Sequence, residues 1–165
     1  MKCIKDEDQK VLFLEEDIQN RWMRYFDKLF NEGGENMIDF SDLNTLNKNR
    51  DFYFYRRINK IEVGEALKKM KGEKAVGPDD IPIEVCKCLG DQGISWLTKL
   101  FNIILKTKKM PDEWRKSVLV PIFKNKGDAQ ECANYRGIKL MCHTLKLWER
   151  VIEHRLRRDT NVSQN

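Results

Sequence analysis

Val118-Leu119-Val120-Pro121-Ile122-Phe123 is a continuous apolar run rich in β-branched residues. The turn-forming group Lys124-Asn125-Lys126-Gly127-Asp128 follows at once, and after a short polar interval comes Tyr135-Arg136-Gly137-Ile138-Lys139-Leu140. The first run suits a strand buried on both faces or, given its proline, a strand at a sheet edge. Tyr135 to Leu140 is its expected partner. Antiparallel pairing of the two brings Lys124, Lys126 and Arg136 to one end of a hairpin. An arginine fork can hold phosphate oxygens two at a time, and lysine acts as a mobile point charge, so this cluster suits a triphosphate. A basic hairpin tip is also a common solvated feature, and charge alone does not decide between these readings.

Outward from the hairpin the apolar spacing is helical. Asp6 or Asp8 can cap a helix carrying Val11, Ile18, Trp22, Phe26 and Leu29, ended by Gly33-Gly34. Residues 35–60 follow no firm period. Their aromatic cluster Phe52-Tyr53-Phe54-Tyr55 before Arg56-Arg57 reads either as a connector pinned by its rings or as a base-stacking surface. Val63, Ala66, Leu67 and Met70 predict a short helix running into a Gly72–Asp80 loop, where Asp79 or Asp80 can cap the next helix at Pro82. Pro82 to Leu89 predicts a short helix and Ile94, Leu97, Phe101, Ile104 and Leu105 a longer one, separated by Gly90-Asp91-Gln92-Gly93. From Thr144, a stripe of Leu145, Trp148, Ile152 and Leu156 predicts a last helix whose other faces carry Lys146, Arg150, Arg155, Arg157 and Arg158. The expected fold is α+β and mostly helical, with four to five helices and one β-hairpin.

At 165 residues and 41% hydrophobic, the chain suffices for one core. No apolar run approaches the ~20 residues needed to span a bilayer, so no membrane partner is expected. The first residues lack the apolar run of a secretory signal. Five cysteines, an odd number without repeating spacing, read as free thiols of a reducing compartment, and no metal site is expected. These features together point to an intracellular location, cytoplasm or nucleus. Residues 1–45 hold 6 Lys/Arg against 11 Asp/Glu, whereas residues 99–158 hold 15 against 6. The later region should therefore attract a polyanion such as RNA or DNA without selecting a sequence.

Three segments, taken in order, closely resemble the opening motifs of non-LTR (LINE-type) retrotransposon reverse transcriptases: Lys74-Ala75-Val76-Gly77-Pro78-Asp79-Asp80-Ile81-Pro82, Trp114 to Lys124, and Asn134-Tyr135-Arg136-Gly137-Ile138-Lys139-Leu140. The resemblance covers about residues 60–158, which it implies to be a fingers portion. Residues 1–59 are similar to the helix and connector upstream of that domain, and 159–165 are expected to be a disordered tail. In that family the hairpin closes over the incoming nucleotide, so the resemblance implies triphosphate contacts for Lys124 and Arg136, with Lys126 an addition. It makes Gly77, Pro78 and Asp79 template-side candidates, beside their plainer reading as loop closure and helix cap.

The family's polymerase aspartates, in a later strand and an [FY]-A-D-D hairpin, do not occur here, and Mg²⁺ belongs with them in the full-length enzyme. Two-metal phosphoryl transfer needs carboxylates around ions roughly 3.5–4 Å apart. The expectation is therefore a truncated RNA-directed DNA polymerase without catalytic residues or cofactor. It would bind RNA or DNA, with a nucleoside triphosphate as a second ligand, and would not polymerise. A missing palm domain would be its natural packing partner, and without that palm the Leu145, Trp148 and Ile152 face is expected to lie exposed. The alternative is a host-expressed nucleic-acid-binding or interaction module that uses the basic last helix.

Overall fold

The computed structural model describes residues 3–32 and 56–159. The aromatic cluster Phe52–Tyr55, the Gly33-Gly34 helix stop and the tail after 159 lie outside the described residues. Contacts group the chain into two compact units, residues 1–47 with 119–138 and residues 48–118 with 139–165. Among the described residues, five α-helices and two small antiparallel sheets make the fold mostly helical.

The first unit holds a hairpin that the sequence pattern did not predict. Strand β1 (Ile4–Lys5) pairs antiparallel with β2 (Val11–Leu12), with Ile4 opposite Leu12 and Lys5 opposite Val11. The Asp6 carboxylate accepts from the N–H groups of Asp8 at 2.9 Å and Lys10 at 2.8 Å, while the Asp6 N–H donates to the Lys10 carbonyl. Asp6 is thus spent on closing a turn, the local bonding that competes with helix capping. Helix α1 (Glu15–Asn31) starts later, after Leu14 and without a side-chain cap. Glu15, Glu16 and Asp17 in its first turn complement the helix dipole. Val11 consequently lies in a strand, and of the expected stripe Phe26 is buried, Ile18 and Trp22 are half-buried, and Leu29 is exposed.

Strands β3 (Val118–Phe123) and β4 (Tyr135–Leu140) pair as expected. In a two-stranded sheet each strand keeps an open edge, which tolerates Pro121. One face of this hairpin packs on α1. The Tyr135 ring lies 5.0 Å from Trp22 and 5.2 Å from Phe123, and its hydroxyl donates to the Ala129 carbonyl. A Cβ on Gly137 would fall 2.7 Å from Cε1 of Phe26, so only glycine admits the helix this closely.

The second unit is helical: α2 (Lys60–Lys68), α3 (Ile83–Cys88), α4 (Gly90–Thr107) and α5 (His143–Asp159), with a 3-10 turn at Asp112–Arg115. Asn59 and Glu62 form a capping box at α2. The expected break between α3 and α4 is present but shorter, at Leu89 with Gly90 at φ of 54°, and α4 runs on through Asp91, Gln92 and Gly93. Gly93 is buried where a Cβ would meet that of Leu89 at 2.6 Å. The core gathers Val63, Leu67, Leu97, Phe101, Leu147 and Val151, with the Phe101 ring 5.3 Å from Trp148. Leu145 and Trp148 are buried in it and Ile152 packs half-buried against it. The face expected to be exposed is therefore covered by the unit's own helices.

Candidate nucleic-acid interface

At the hairpin end, strand alternation turns Arg136 and Ile138 away from the Tyr135 and Gly137 face, and both are exposed. The Lys124 N–H donates to the Asn134 carbonyl at 2.8 Å and its ammonium to the Ala133 carbonyl at 2.8 Å. Two ammonium protons remain for another acceptor. Lys126 sits in the turn. Lys126 and Arg136 make no side-chain hydrogen bond or ion pair among the described residues, and both are exposed.

The connecting loop is held from inside. Asn125 and Gly127 take positive φ of 55° and 78°, and Asn134 Nδ2 donates to the Asp128 carbonyl at 2.9 Å. The loop's Asp128 is paired with Lys5, Nζ to Oδ2 at 2.7 Å, and the Lys5 N–H donates to the Gln130 carbonyl. The Lys5 hydrogen bond, then the Gln130 N–H, holds the Asp128 carboxyl below its ordinary range. The acidic group that could quench the hairpin cations is thus answered by a lysine from β1.

Gly77, Pro78 and Asp79 lie in the second unit. Gly77 is buried, and a Cβ there would fall 2.5 Å from the Cys142 nitrogen and 2.6 Å from the Met141 carbonyl carbon. It is glycine because two backbones touch at this point. The Asp80 N–H donates to the Gly77 carbonyl at 3.1 Å, and Asp80 adopts φ of 51°. Asp79 Oδ1 accepts from the Ile81 N–H at 3.4 Å. Burial, then a hydrogen bond to Asp79, pushes up the Cys142 thiol. Neither aspartate caps α3, whose N-cap position is Pro82 without a side-chain bond; the Asp79 carboxylate bonds within the turn and Asp80 sits at its positive-φ position. Pro78 alone of the three candidates is exposed.

The basic surface expected on the last helix loses one member. Arg155 is fully buried. Its Nε and Nη2 donate to the two Glu62 carboxylate oxygens at 2.9 Å each, Nη1 to the Arg56 carbonyl at 2.7 Å, and Nη2 to the Arg57 carbonyl at 3.2 Å. Asn102 grips Ile58 in the same segment through its N–H and carbonyl, 2.9 Å each. The helical wheel held the signal, since Arg155 follows Trp148 by seven and Val151 by four and so lies on the buried stripe.

Among the described residues no group of three or more His, Cys, Asp or Glu side chains could hold a metal ion. No helix of the described residues is long and apolar enough to cross a membrane.

No family model matches the chain. It is 32% identical over 95 residues to a probable RNA-directed DNA polymerase from transposon BS of Drosophila melanogaster, covering 58% of this chain and 10% of that protein. The probable RNA-directed DNA polymerase from transposon X-element of the same species is 33% identical over the same shares. The RNA-directed DNA polymerase from its mobile element jockey is 28% identical over 95 residues. The curated relatives of this chain are thus RNA-directed DNA polymerases of non-LTR retrotransposons, and the chain spans about a tenth of their length.

Proposed function

We propose that this chain is the fingers portion of an RNA-directed DNA polymerase, gripping phosphates of RNA or DNA and of a nucleoside triphosphate without joining nucleotides. The observation that carries the reading is the hairpin end, where exposed Arg136 and Lys126 stand with Lys124 while Asp128 is neutralised by Lys5. Hydrogen bonds from such cationic donors to phosphate oxygens are charge-assisted and stronger than those between neutral groups. Pro78 and the Gly77-Asp79 turn behind it form a template-side contact, a palm domain is the packing partner, and the setting is intracellular. The joining chemistry is left to carboxylates that these 165 residues do not carry as an [FY]-A-D-D motif.

Two measurements test this. RNA affinity should fall steeply between ~50 and ~200 mM salt, as counterion release requires, and a flat response would sink the phosphate-contact account. On a primed RNA template with Mg²⁺ no extension is expected, and template-dependent extension by the purified chain would refute binding without chemistry.

A further inference from the structure

We propose that the second unit carries a separate phosphate-binding cleft, in which Lys69, Lys71, Lys74, Lys146 and Arg150 line the wall together with His143 and take a phosphodiester of single-stranded RNA. The cleft lies between the end of α2 with its following loop and the first half of α5, and has a volume of about 700 Å³. That is within the roughly 300–1,000 Å³ of ligand clefts. The site stands on this unit alone and does not need the hairpin reading.

Charge is the first observation. Five cations face two carboxylates, Glu149 and Glu153, a surplus of three positive charges. Lys146 and Arg150 stand one turn apart on α5, and Arg150 donates to the Lys69 carbonyl at 3.0 Å, which fixes its guanidinium at the wall.

His143 is the second and independent observation. It is only 2% exposed, yet neither Nδ1 nor Nε2 has a hydrogen-bond partner among the described residues. Glu84 interacts with it electrostatically but makes no hydrogen bond to it. A buried ring nitrogen without a partner is destabilising, and a phosphate oxygen supplies the acceptor that a protonated ring nitrogen needs. His143 is also the first residue of α5, the helix end that favours anions.

The lining selects the backbone over a free nucleotide. Among the described residues no Phe, Tyr or Trp lines the cleft and the His143 ring is buried, so a base finds no open ring to stack on. Flexible lysine ammoniums along an open wall suit successive phosphates instead.

The test follows the His143 ring nitrogens by NMR in the 165-residue chain, which has only two histidines. The probes are single-stranded RNA, inorganic phosphate and a deoxynucleoside triphosphate. The ring should shift on adding RNA, and still do so in Lys124→Gln/Arg136→Gln, where loss of the shift would assign it to the hairpin and overturn the site. Lys71→Gln/Lys74→Gln should weaken the RNA titration at this reporter about tenfold and lower the salt slope by about 1.4, roughly 0.7 for each lost contact on a single strand. A His143 ring insensitive to RNA in the unsubstituted chain would refute the proposal, as would a response to the triphosphate alone.

Discussion

Arg136 in the hairpin unit and Arg155 in the helical unit are the same residue type in opposite circumstances. Arg136 projects from an exposed strand face with no partner among the described residues, free to meet a phosphate. Arg155 is fully buried, and its guanidinium is matched by a carboxylate fork and two carbonyls. The glycines of the two units differ in the same way. Gly137 lets aromatic and aliphatic side chains approach a strand, whereas Gly77 lets backbone meet backbone. Arg136 is disposed towards an outside partner, whereas Arg155 is consumed by the core of its own unit. Counting basic residues along the chain cannot separate the two, because burial decides whether a charge is available.

The largest break in this comparison comes from Arg155→Met. This substitution removes the two-pronged partner of Glu62, leaving it Arg56 and the Asn59 N–H, and takes the guanidinium donors from the Arg56 and Arg57 carbonyls, so urea denaturation should show about 3 kcal/mol lost. A loss within about 0.5 kcal/mol would mean that Arg155 is no more engaged than a surface cation. Next comes Gly77→Ala, which pushes a methyl into the Met141–Cys142 backbone and should cost about 1–3 kcal/mol. Gly137→Ala meets side chains that can shift, and its melting temperature should fall less. The reverse order would undo the distinction drawn between the two glycines.

Acid titration sharpens the Arg155 side. Burial alone would raise the Glu62 carboxyl, but the hydrogen bond and charge of Arg155, the Asn59 N–H and the charge of Arg56 together hold it below its ordinary value. A depressed folded value means that the unfolded chain binds the proton more readily. Glu62 therefore contributes its full stability above the ordinary carboxylate range and loses it as pH falls through the depressed value. Arg155→Met should flatten that acid limb, and an unchanged limb would assign it to other groups. The smallest stability effect belongs to Arg136→Gln, within about 0.5 kcal/mol. Its RNA affinity should nonetheless drop, with a salt slope shallower by about 0.7.

The two strands around Lys124 were readable because β-branched residues in a short run bounded by turn formers have few other uses, and β4 has the bounds expected of it. The central helices were readable from the spacing of Val63 to Met70 and Leu97 to Ile104. The first hairpin was not. Its strands are two residues each, too short for a period, and Asp6 looks alike as a helix cap or as a turn former. Gly93 misled for a related reason, since a glycine that breaks helices in isolation is retained inside one where packing leaves no room for Cβ. Of the candidate site, the hairpin cations could be placed from strand alternation. The His143 cleft could not, because it joins residues from the end of α2 and from α5 that lie some seventy positions apart.

The sequence by itself determined that this chain is mostly helical with a basic hairpin, and that its motifs follow the order found in non-LTR reverse transcriptases. Those properties live in local spacing and composition, which act on neighbours in the chain. Only the tertiary structure decided which charges are available. Lys5 neutralises Asp128 from 123 positions away, and Glu62 captures Arg155 from 93. Desolvation and pairing depend on what folding brings together, and no local pattern specifies that.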